Sequence, residues 1–178
     1  HNEHLLIDGK KMSKSLHNFY TLEDIQKKGY DPLAFRLMVL QSHYRNQSNF
    51  TWEILKAAQT RLNGWQATVN LASQFEEAKP DDTVDKLNQA LYKDLDTPKV
   101  LALISGYFDK LLNSVGKAPN RSVVKFIENV LGIKFDHTDI SPGAKELLRQ
   151  RAEARKKQDW ELSDKLRDEL KRAGIGVG

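Results

Sequence analysis

The sequence predicts a mainly α-helical fold, in which a helical bundle follows one short strand and a loop. Two long stripes of apolar residues recur at steps of three and four, over residues 55–72 and 101–115. This spacing is typical of helices that bury one face. At 31–32, 97–98 and 141–142, a helix-capping residue directly precedes a proline, which is a common start of a helix.

The N-terminal part is predicted to hold the strand, the loop and two helices. Residues 4–9 are expected to form a short strand that runs into a turn, and the polar residues 10–20 a loop. Thr21 is expected to cap a helix that Gly29 ends. The helix that follows, at residues 33–41, is apolar nearly all round, which predicts that it is buried.

The middle of the chain is predicted to be helical, with one linker. Thr51 is expected to cap a long amphipathic helix over residues 52–76. A polar linker at 77–83 separates it from a helix over 84–92. Thr97 is expected to cap the next helix, which carries the second apolar stripe.

Three further helices complete the predicted bundle. The first covers residues 121–131. Ser141 is expected to cap the second, which runs to about Lys157. Asp159 is expected to cap the last helix, and Gly174 to end it.

The last helix has one apolar stripe and one polar face. Leu162 and the two leucines that follow it at four-residue steps are expected to face the core. Trp160 lies off this stripe, on the face that also carries Asp164 and Arg167.

Composition excludes several classes of protein. The chain has no cysteine, which rules out disulfides, thiolate metal ligands and cysteine nucleophiles within it. No apolar run approaches the ~18 residues of a membrane span, and no signal-peptide pattern is present. The net charge is +4. Basic side chains outnumber acidic ones in residues 1–65 and 144–178 but not between them, which fits a polyanionic partner at both ends.

The loop at residues 10–16 carries the clearest chemical signal. It holds three lysines, two serines and one methionine. Ammonium and hydroxyl groups on a loop suit a polyphosphate, whose charge they neutralise without covalent chemistry. A solvated basic loop is the alternative that the residues alone leave open.

The order of residues in this loop resembles a known signature. Lys11-Met12-Ser13-Lys14-Ser15 is identical to the KMSKS motif of class I aminoacyl-tRNA synthetases. Later segments are similar to cysteinyl-tRNA synthetases in particular. They are Leu16-His17-Asn18-Phe19, Tyr30-Asp31-Pro32, Ser42-His43-Tyr44-Arg45, Asp94-Leu95-Asp96-Thr97-Pro98, and Arg155 to Trp160 with Asp164 and Arg167.

This resemblance implies the domain organisation of a C-terminal fragment that begins just before the KMSKS loop. Residues 1–20 would be the end of the catalytic domain, and 21–50 the stem-contact region. Residues 51–135 would form the helical bundle, of the class I synthetase anticodon-binding type. Residues 141–178 would form the C-terminal anticodon-binding helices.

The resemblance also assigns roles in the loop. Lys14 is implied as the main transition-state lysine and Lys11 as a supporting phosphate contact. Ser13 and Ser15 complete the implied site for ATP, bound with magnesium, and Met12 is expected to pack as an anchor of the loop. His17 stands where the family usually has glycine, and histidine tolerates positive φ better than most residues.

The family also binds zinc, through ligands that lie upstream of its KMSKS motif, so no metal ligand is predicted in this chain. His1 and His4 are interpreted as ordinary histidines that flank the strand.

Two segments are implied to contact tRNA. For Tyr44 and Arg45 the alternative is a packed turn in which these side chains hold neighbouring elements together. In the last two helices, a ring, an acid and a base on one face suit the readout of single-stranded RNA. There the alternative is a packed Trp160 beside solvated charges. The resemblance favours RNA, because Arg155, Trp160 and Asp164 match the anticodon-contacting positions of the family.

The function implied is that of a cytoplasmic enzyme that activates cysteine with ATP and transfers it to tRNA(Cys). The fragment would supply the KMSKS loop and the anticodon binding, and it is expected to be inactive alone. Two alternatives stay open. One is the paralogous ligase that couples cysteine to an amino-sugar inositol, and the other is a stand-alone helical RNA-binding or scaffold protein.

Overall fold

The computed structural model describes five stretches of the chain and one isolated residue: 5–13, 15, 18–70, 75–113, 117–136 and 141–173. The chain divides into two compact units, residues 1–137 and 138–178, which are described separately. The predicted mainly α-helical fold is confirmed. None of the helices in the described stretches is long and apolar enough to cross a membrane.

The first unit contains six helices and five short strands within its described residues. In chain order they are β1 (Leu5–Ile7), β2 (Lys10–Lys11), α1 (Leu22–Lys27), α2 (Pro32–Leu40), β3 (Ser48–Phe50), α3 (Trp52–Asn70), β4 (Glu76–Glu77), α4 (Thr83–Tyr92), α5 (Thr97–Asn113), β5 (Lys117–Ala118) and α6 (Arg121–Val130). The second unit contains α7 (Pro142–Lys156) and α8 (Trp160–Arg172).

A three-stranded sheet in the order β2-β1-β3 opens the first unit. β1 pairs antiparallel with β2 through a two-residue turn, in which Asp8 and Gly9 have φ angles of 49° and 74°. An Asp-Gly pair favours this turn, because both positions need positive φ. The prediction of a loop from residue 10 is therefore wrong at Lys10 and Lys11. β1 also pairs in parallel with β3, a strand that the sequence did not predict.

The core of the first unit confirms the two apolar stripes. α2 packs on α3, and α5 packs on both helices and on α4. The rings of Trp65 in α3 and Phe108 in α5 stack with their centroids 5.5 Å apart. The described members of both stripes are buried: Leu55, Ala58, Leu62, Trp65 and Val69 in one, and Leu101, Ile104, Phe108 and Leu111 in the other. The last members of the predicted stripes, Ala72 and Val115, lie outside the described residues.

α2 is less buried than its apolar composition predicts. Ala34, Leu37 and Met38 are buried, but Val39 is 37% exposed. A helix on the outside of a bundle contacts its neighbours on one side only, so its far side meets solvent whatever its composition.

Side-chain caps decide most helix starts. Thr21 forms a capping box with Asp24, and Asp31 Oδ1 accepts a hydrogen bond from Leu33 N–H at 2.7 Å. Ser141 and Asp159 cap α7 and α8 in the same way, as predicted.

Two predicted boundaries are wrong. Asp96, not Thr97, caps α5, because its Oδ1 accepts a hydrogen bond from Lys99 N–H at 3.1 Å. The helix predicted to run to residue 76 cannot do so, because Glu76–Glu77 is extended and pairs in parallel with β5. Pairing with a distant strand overrides the local helical pattern there.

The second unit is a helical hairpin. α7 and α8 pack on each other across a turn in which Gln158 has a φ of 58°. Its small seam is lined by Ala144 and Ala154 of α7 and by Ser163, Leu166 and Leu170 of α8. The predicted end of α8 at Gly174 lies outside the described residues.

The leucine stripe of α8 is only partly correct. Leu166 and Leu170 are buried, but Leu162 is 42% exposed. Residues four apart advance by about 40° around a helix. The buried arc therefore centres between Leu166 and Ser163, and Leu162 falls at its edge.

Arg36 connects α2 with the C-terminal end of α6. Its Nε donates a hydrogen bond of 2.5 Å to the carbonyl of Leu131, at the C-terminal end of α6. Gly132 follows with a φ of 66°, and a Cβ at this position would lie 2.8 Å from Arg36 Nη2. A Cβ here would strain the left-handed backbone and would displace the guanidinium of Arg36.

Gly132→Ala is therefore expected to lower the free energy of unfolding by about 1–3 kcal/mol, measured by urea denaturation. Gly64→Ala is the matched control, because Gly64 lies in α3 with open space where a Cβ would lie and without a positive φ. The control should raise the free energy of unfolding by up to ~1 kcal/mol. Equal effects of the two substitutions would contradict the role assigned to Gly132.

Candidate nucleotide and RNA-binding sites

Asn18 closes the lysine-rich loop that follows β2. Its Oδ1 accepts a hydrogen bond from Ser13 N–H at 2.8 Å, and its Nδ2 donates one to the carbonyl of Lys11 at 3.0 Å. One amide thus holds the start of the loop to its end. The hydroxyls of Ser13 and Ser15 also share a hydrogen bond of 2.7 Å. The sequence assigned no role to Asn18, although its place three residues after the motif was the available signal.

Some of the described loop residues pack against the core and others are exposed to solvent. Met12 packs against the core of the first unit, as predicted. Lys11 and Ser15 are exposed, and Ser13 is half-buried. Lys14 and His17 lie outside the described residues, so the roles assigned to them stay predictions.

A cluster of aromatic rings supports the segment that leaves this loop. Tyr20 meets the edge of Trp52 with centroids 5.0 Å apart, and Phe50 meets Trp52 at 5.1 Å. The ammonium of Lys28 lies 4.0 Å from the centre of the Trp52 ring, in a cation–π contact. β3 and the start of α3 therefore fix the chain where it emerges from the loop.

Asp94, in the turn between α4 and α5, is the centre of a second cluster. Its Oδ1 accepts a hydrogen bond of 2.7 Å from Tyr44 Oη and one of 3.0 Å from Arg45 Nη2. Arg45 Nε in turn donates to Tyr44 Oη at 2.9 Å. His43 Nε2 donates to the Asp94 carbonyl at 2.9 Å, and its ring stacks on Tyr44. We call these four residues the Asp94 clasp.

The backbone at the Asp94 clasp is unusual. Asp94 and Leu95 both have positive φ, at 60° and 52°. Two successive left-handed residues that are not glycine persist only where the surrounding contacts hold them. The hydrogen bond from Tyr44, followed by that from Arg45, lowers the pKa of Asp94, so the carboxylate stays ionised and able to hold both donors.

The contacts of the Asp94 clasp can be compared with the two expectations for Tyr44 and Arg45, which are contact with tRNA and a packed turn. Their side chains hold neighbouring elements together, which is the arrangement that the sequence offered as the alternative to RNA binding. The Arg45 side chain is nevertheless 65% exposed, and its guanidinium has donors beyond the two that the clasp uses. Contact with RNA stays a prediction for both residues.

The second unit presents the predicted ring and charges. Trp160 is 60% exposed at the start of α8, so packing on α7 does not bury it. Arg167 Nη1 lies 2.9 Å from Asp164 Oδ1, so the predicted acid and base form an ion pair with each other. Arg155 is exposed near the end of α7. The hairpin therefore offers an accessible ring together with an ion pair that a ligand could contact.

Metal ligands were not predicted in this chain. Within the stretches that the structure describes, no three His, Cys, Asp or Glu side chains are grouped so that they could hold a metal ion.

Two family models match the chain, one at each end. Residues 1–60, which include the lysine-rich loop, match the catalytic domain of class I (C) tRNA synthetases. Residues 137–177, which include the helical hairpin, match the anticodon-binding domain of cysteinyl-tRNA ligase. The first match shows that residues 1–60 are similar to the catalytic domain of class I aminoacyl-tRNA synthetases.

Curated relatives match almost the whole chain. The cysteine–tRNA ligase of Protochlamydia amoebophila is 34% identical over 98% of this chain and 40% of its own length. The cysteine–tRNA ligase of Chlamydia muridarum is 31% identical over 99% of this chain and 43% of its own length. The cysteine–tRNA ligase of Opitutus terrae is 34% identical over 98% of this chain and 38% of its own length. The chain is similar to cysteinyl-tRNA synthetases over nearly its whole length, as the sequence predicted, and spans about 40% of the length of these relatives.

The Asp94 clasp yields a test of stability. Asp94→Gly removes the side-chain contacts but suits a left-handed backbone, whereas Asp94→Ala removes the contacts and retains a Cβ. We expect the alanine variant to be less stable than the glycine variant by about 1 kcal/mol in urea denaturation. Equal stabilities would show that the left-handed turn does not persist without the Asp94 carboxylate.

Proposed function

We propose that this chain is the C-terminal part of a cysteine–tRNA ligase, which activates cysteine with ATP and transfers the cysteinyl group to tRNA(Cys). One observation carries the proposal. A lysine-rich loop closed by Asn18 and a helical hairpin with an exposed Trp160 occur in one chain, and each lies in the segment that matches the corresponding domain of this enzyme.

In this proposal the loop acts on the phosphates of ATP. As the carboxylate of cysteine attacks the α-phosphorus, negative charge accumulates on the departing pyrophosphate. Lys14 and Lys11 oppose that charge, while Ser13 and Ser15 donate hydrogen bonds to the phosphates. Such contacts strengthen as the charge develops, so they lower the barrier more than they tighten the binding of ATP. Magnesium would share in neutralising the phosphates when it is bound.

The geometry of the loop supports this assignment. Asn18 bonds to the carbonyl of Lys11 and to the N–H of Ser13, so the first half of the motif is held to the end of the loop. Met12 fills the core below them. Lys11 and Ser15 are exposed and therefore accessible to a ligand, and a loop held in this way needs less ordering when ATP binds.

The remaining segments are proposed to bind tRNA. Residues 21–50 would contact the stem of the tRNA through Tyr44 and Arg45, with residues 51–135 as the supporting bundle. Residues 141–178 would read the anticodon. There Trp160 offers a face for base stacking, while Asp164, Arg155 and Arg167 offer hydrogen bonds that depend on base identity.

The alternatives from the sequence are less well supported. A ligase that couples cysteine to an amino-sugar inositol has no need of an anticodon-binding domain, yet residues 137–177 match one. A scaffold without enzymatic function has no need of a catalytic-domain segment, yet residues 1–60 match one.

Substitutions in the loop test the first half of the proposal. In the full-length enzyme, Lys14→Ala should lower kcat for cysteine-dependent ATP–pyrophosphate exchange by about 10²–10³, with little change in the KM for ATP. Asn18→Ala should lower kcat in the same direction, because it opens the loop. Lys56→Ala is the control, since Lys56 is an exposed lysine of α3 outside the loop, and it should leave the exchange unchanged. A rise in KM with constant kcat would refute the transition-state role.

Substitutions in the hairpin test the second half. The 178-residue chain should bind a synthetic RNA stem-loop with the cysteine anticodon more tightly than loops with altered anticodons. Trp160→Ala should weaken binding to all of them by ~1–3 kcal/mol, through lost stacking. Asp164→Ala should instead reduce the difference between anticodons.

Glu161→Ala serves as the control for these variants, because Glu161 is an exposed acid in the first turn of the same helix. It should alter neither affinity nor discrimination. If Asp164→Ala discriminates between anticodons as well as the wild type does, Asp164 does not read a base.

A further inference from the structure

A groove of about 310 Å³ lies between α4 and α5 in the first unit, and we call it the α4–α5 groove. The residues of α5 that line it recur at steps of three and four, from Lys99 through Leu103 and Gly106 to Lys110. Because an α-helix rises ~1.5 Å per residue, these residues extend for about 16 Å along α5. The groove therefore has room for a length of extended chain and not only for a single ion.

Two lysines at the groove have hydrogen-bond donors to spare. Lys86 lines it from α4 and forms an ion pair with Asp82 at 2.8 Å, which uses one of the three donors of its ammonium group. Lys99 is exposed, and it has no ion pair within the part of the chain that the structure describes. Both ammonium groups can therefore donate to a negatively charged ligand in the groove.

Asp81 places a carboxylate at the same groove. Its Oδ1 accepts a hydrogen bond from Thr83 N–H at 3.0 Å. Hydrogen bonds from Thr83, together with the charges of Lys86 and Lys110, lower the pKa of Asp81, so the carboxylate stays ionised. A carboxylate can accept about four hydrogen bonds, so Asp81 can accept another one from a hydroxyl group of a ligand.

Tyr107 adds a buried hydroxyl group to the wall of the groove. This residue is 8% exposed, and its Oη accepts a hydrogen bond of 2.6 Å from Asn120 N–H. The hydroxyl hydrogen itself has no acceptor among the described residues. Burial raises the pKa of Tyr107, and the charge of Asp81 raises it further, so the hydroxyl lies on the Asp81 side of the groove. A ligand oxygen there would accept the hydrogen bond that the protein leaves unmade.

Gly106 keeps the floor of the groove open. It lies inside α5, where glycine is less favourable than any other residue except proline. Nothing lies within 4 Å of the place where a Cβ would be, so close packing does not require a glycine. A side chain at this position would instead enter the groove and fill part of it.

We propose that the α4–α5 groove binds the ribose–phosphate backbone of an RNA strand. Lys86 and Lys99 hold phosphate oxygens, and Asp81 accepts a hydrogen bond from a 2′-hydroxyl. The apolar side chain of Leu103 packs against a ribose ring. The inference rests on the proposed binding of tRNA, and it makes the helical bundle a contact surface instead of a support alone.

The mixture of donors and an acceptor favours RNA over a simple anion. A free anion would meet the lysines but would also meet the like charge of Asp81. A ribonucleotide carries acceptors on its phosphate and a donor on its 2′-hydroxyl, so it can satisfy both kinds of group at once. Contacts to phosphate and sugar fix the position of a nucleic acid without reading its sequence.

The first experiment removes one charge. The complete 178-residue chain and its variants are titrated with a tRNA(Cys) transcript at several salt concentrations. Lys99→Gln should weaken binding on the order of fivefold and reduce the slope of log K against log salt by about 0.7 to 0.9, as expected for one lost phosphate contact. Lys125→Gln is the control, because Lys125 is an exposed lysine of α6 outside the groove, and it should change neither quantity.

The second experiment fills the groove without changing any charge. Gly106→Leu should weaken binding of the transcript by a larger factor than Lys99→Gln does, because it excludes the strand from every contact. Gly64→Leu is the control, since Gly64 also has open space at its Cβ position but lies in α3. Both leucine variants should unfold at the temperature of the wild type or above it, because leucine favours a helix more than glycine does. If Lys99→Gln weakens binding and Gly106→Leu does not, the RNA contacts the surface lysine outside the groove, and the proposal is wrong.

The third experiment tests the contact with the 2′-hydroxyl. Binding of the transcript is compared with binding of a DNA oligonucleotide of the same sequence. Asp81→Asn should reduce the preference for RNA by roughly threefold to tenfold, because a charge-assisted hydrogen bond is about twice as strong as a neutral one. Asp85→Asn, at an exposed acid of α4 outside the groove, should leave the preference unchanged. An unchanged preference in Asp81→Asn would remove the ribose from the proposal.

The remaining outcomes separate this inference from the proposed function. If the wild type binds the transcript and the Lys99 and Gly106 variants bind it equally well, the groove assignment is wrong but tRNA binding stands. AMP serves as a second probe. If the groove variants lose binding of AMP and keep that of the transcript, the groove holds a free nucleotide and not an RNA strand. If the wild type does not bind the transcript, the proposed function fails, and the inference fails with it.

Discussion

The parallel pairing of β1 with β3 is the contact on which the arrangement of the first unit depends. Strands of three residues have little stability of their own, yet Ile7 and Phe50 lie opposite each other in this pair and are both buried. Asp8 N–H donates to the carbonyl of Phe50, and Gly9 N–H to Asn49 Oδ1. The pairing therefore fixes both the hairpin that leads into the lysine-rich loop and the start of α3.

The lysine-rich loop and the Asp94 clasp are held by different kinds of side chain. Asn18 closes the lysine-rich loop with a neutral amide, which adds no charge that would compete with a bound phosphate. Asp94 uses an ionised carboxylate to hold Tyr44 and Arg45. A carboxylate beside the loop would neutralise the lysines, whereas at the turn between α4 and α5 it leaves Arg45 with unused donors. The chemistry of each cluster suits the ligand proposed beside it.

Local signals were sufficient for much of the fold. Helix starts followed from caps such as Asp31 and Ser141, whose side chains accept a hydrogen bond from the first turn. The helical stripes followed from periodicity, because one buried face repeats over four or five turns. Short strands offer no such repeat. Glu76–Glu77 is extended only because a distant strand pairs with it, and no pattern within two residues could indicate this.

The candidate sites also contain some residues that the sequence could predict and others that only packing brings together. Residues in a contiguous motif, such as Lys11 and Ser13, could be assigned from sequence by resemblance. Asp94 could not be linked to Tyr44, because the two are brought together only by the packing of the whole unit. The burial of Ala154 and Leu166 at the seam likewise depends on how α7 meets α8. Sequence alone shows which groups are present, but packing decides which of them come together.

The two units also differ in the length of chain that must be brought together for them to form. The hairpin of α7 and α8 is made by neighbouring segments joined through the turn at Gln158, so its contacts close small loops. The sheet needs Leu5 to find Ser48, across two helices. Because loop closure costs more conformational entropy as the loop lengthens, and low contact order favours fast folding, the hairpin is the faster-folding part of the chain. When the complete chain refolds from denaturant, the proposed anticodon reader would thus form before the sheet that supports the loop.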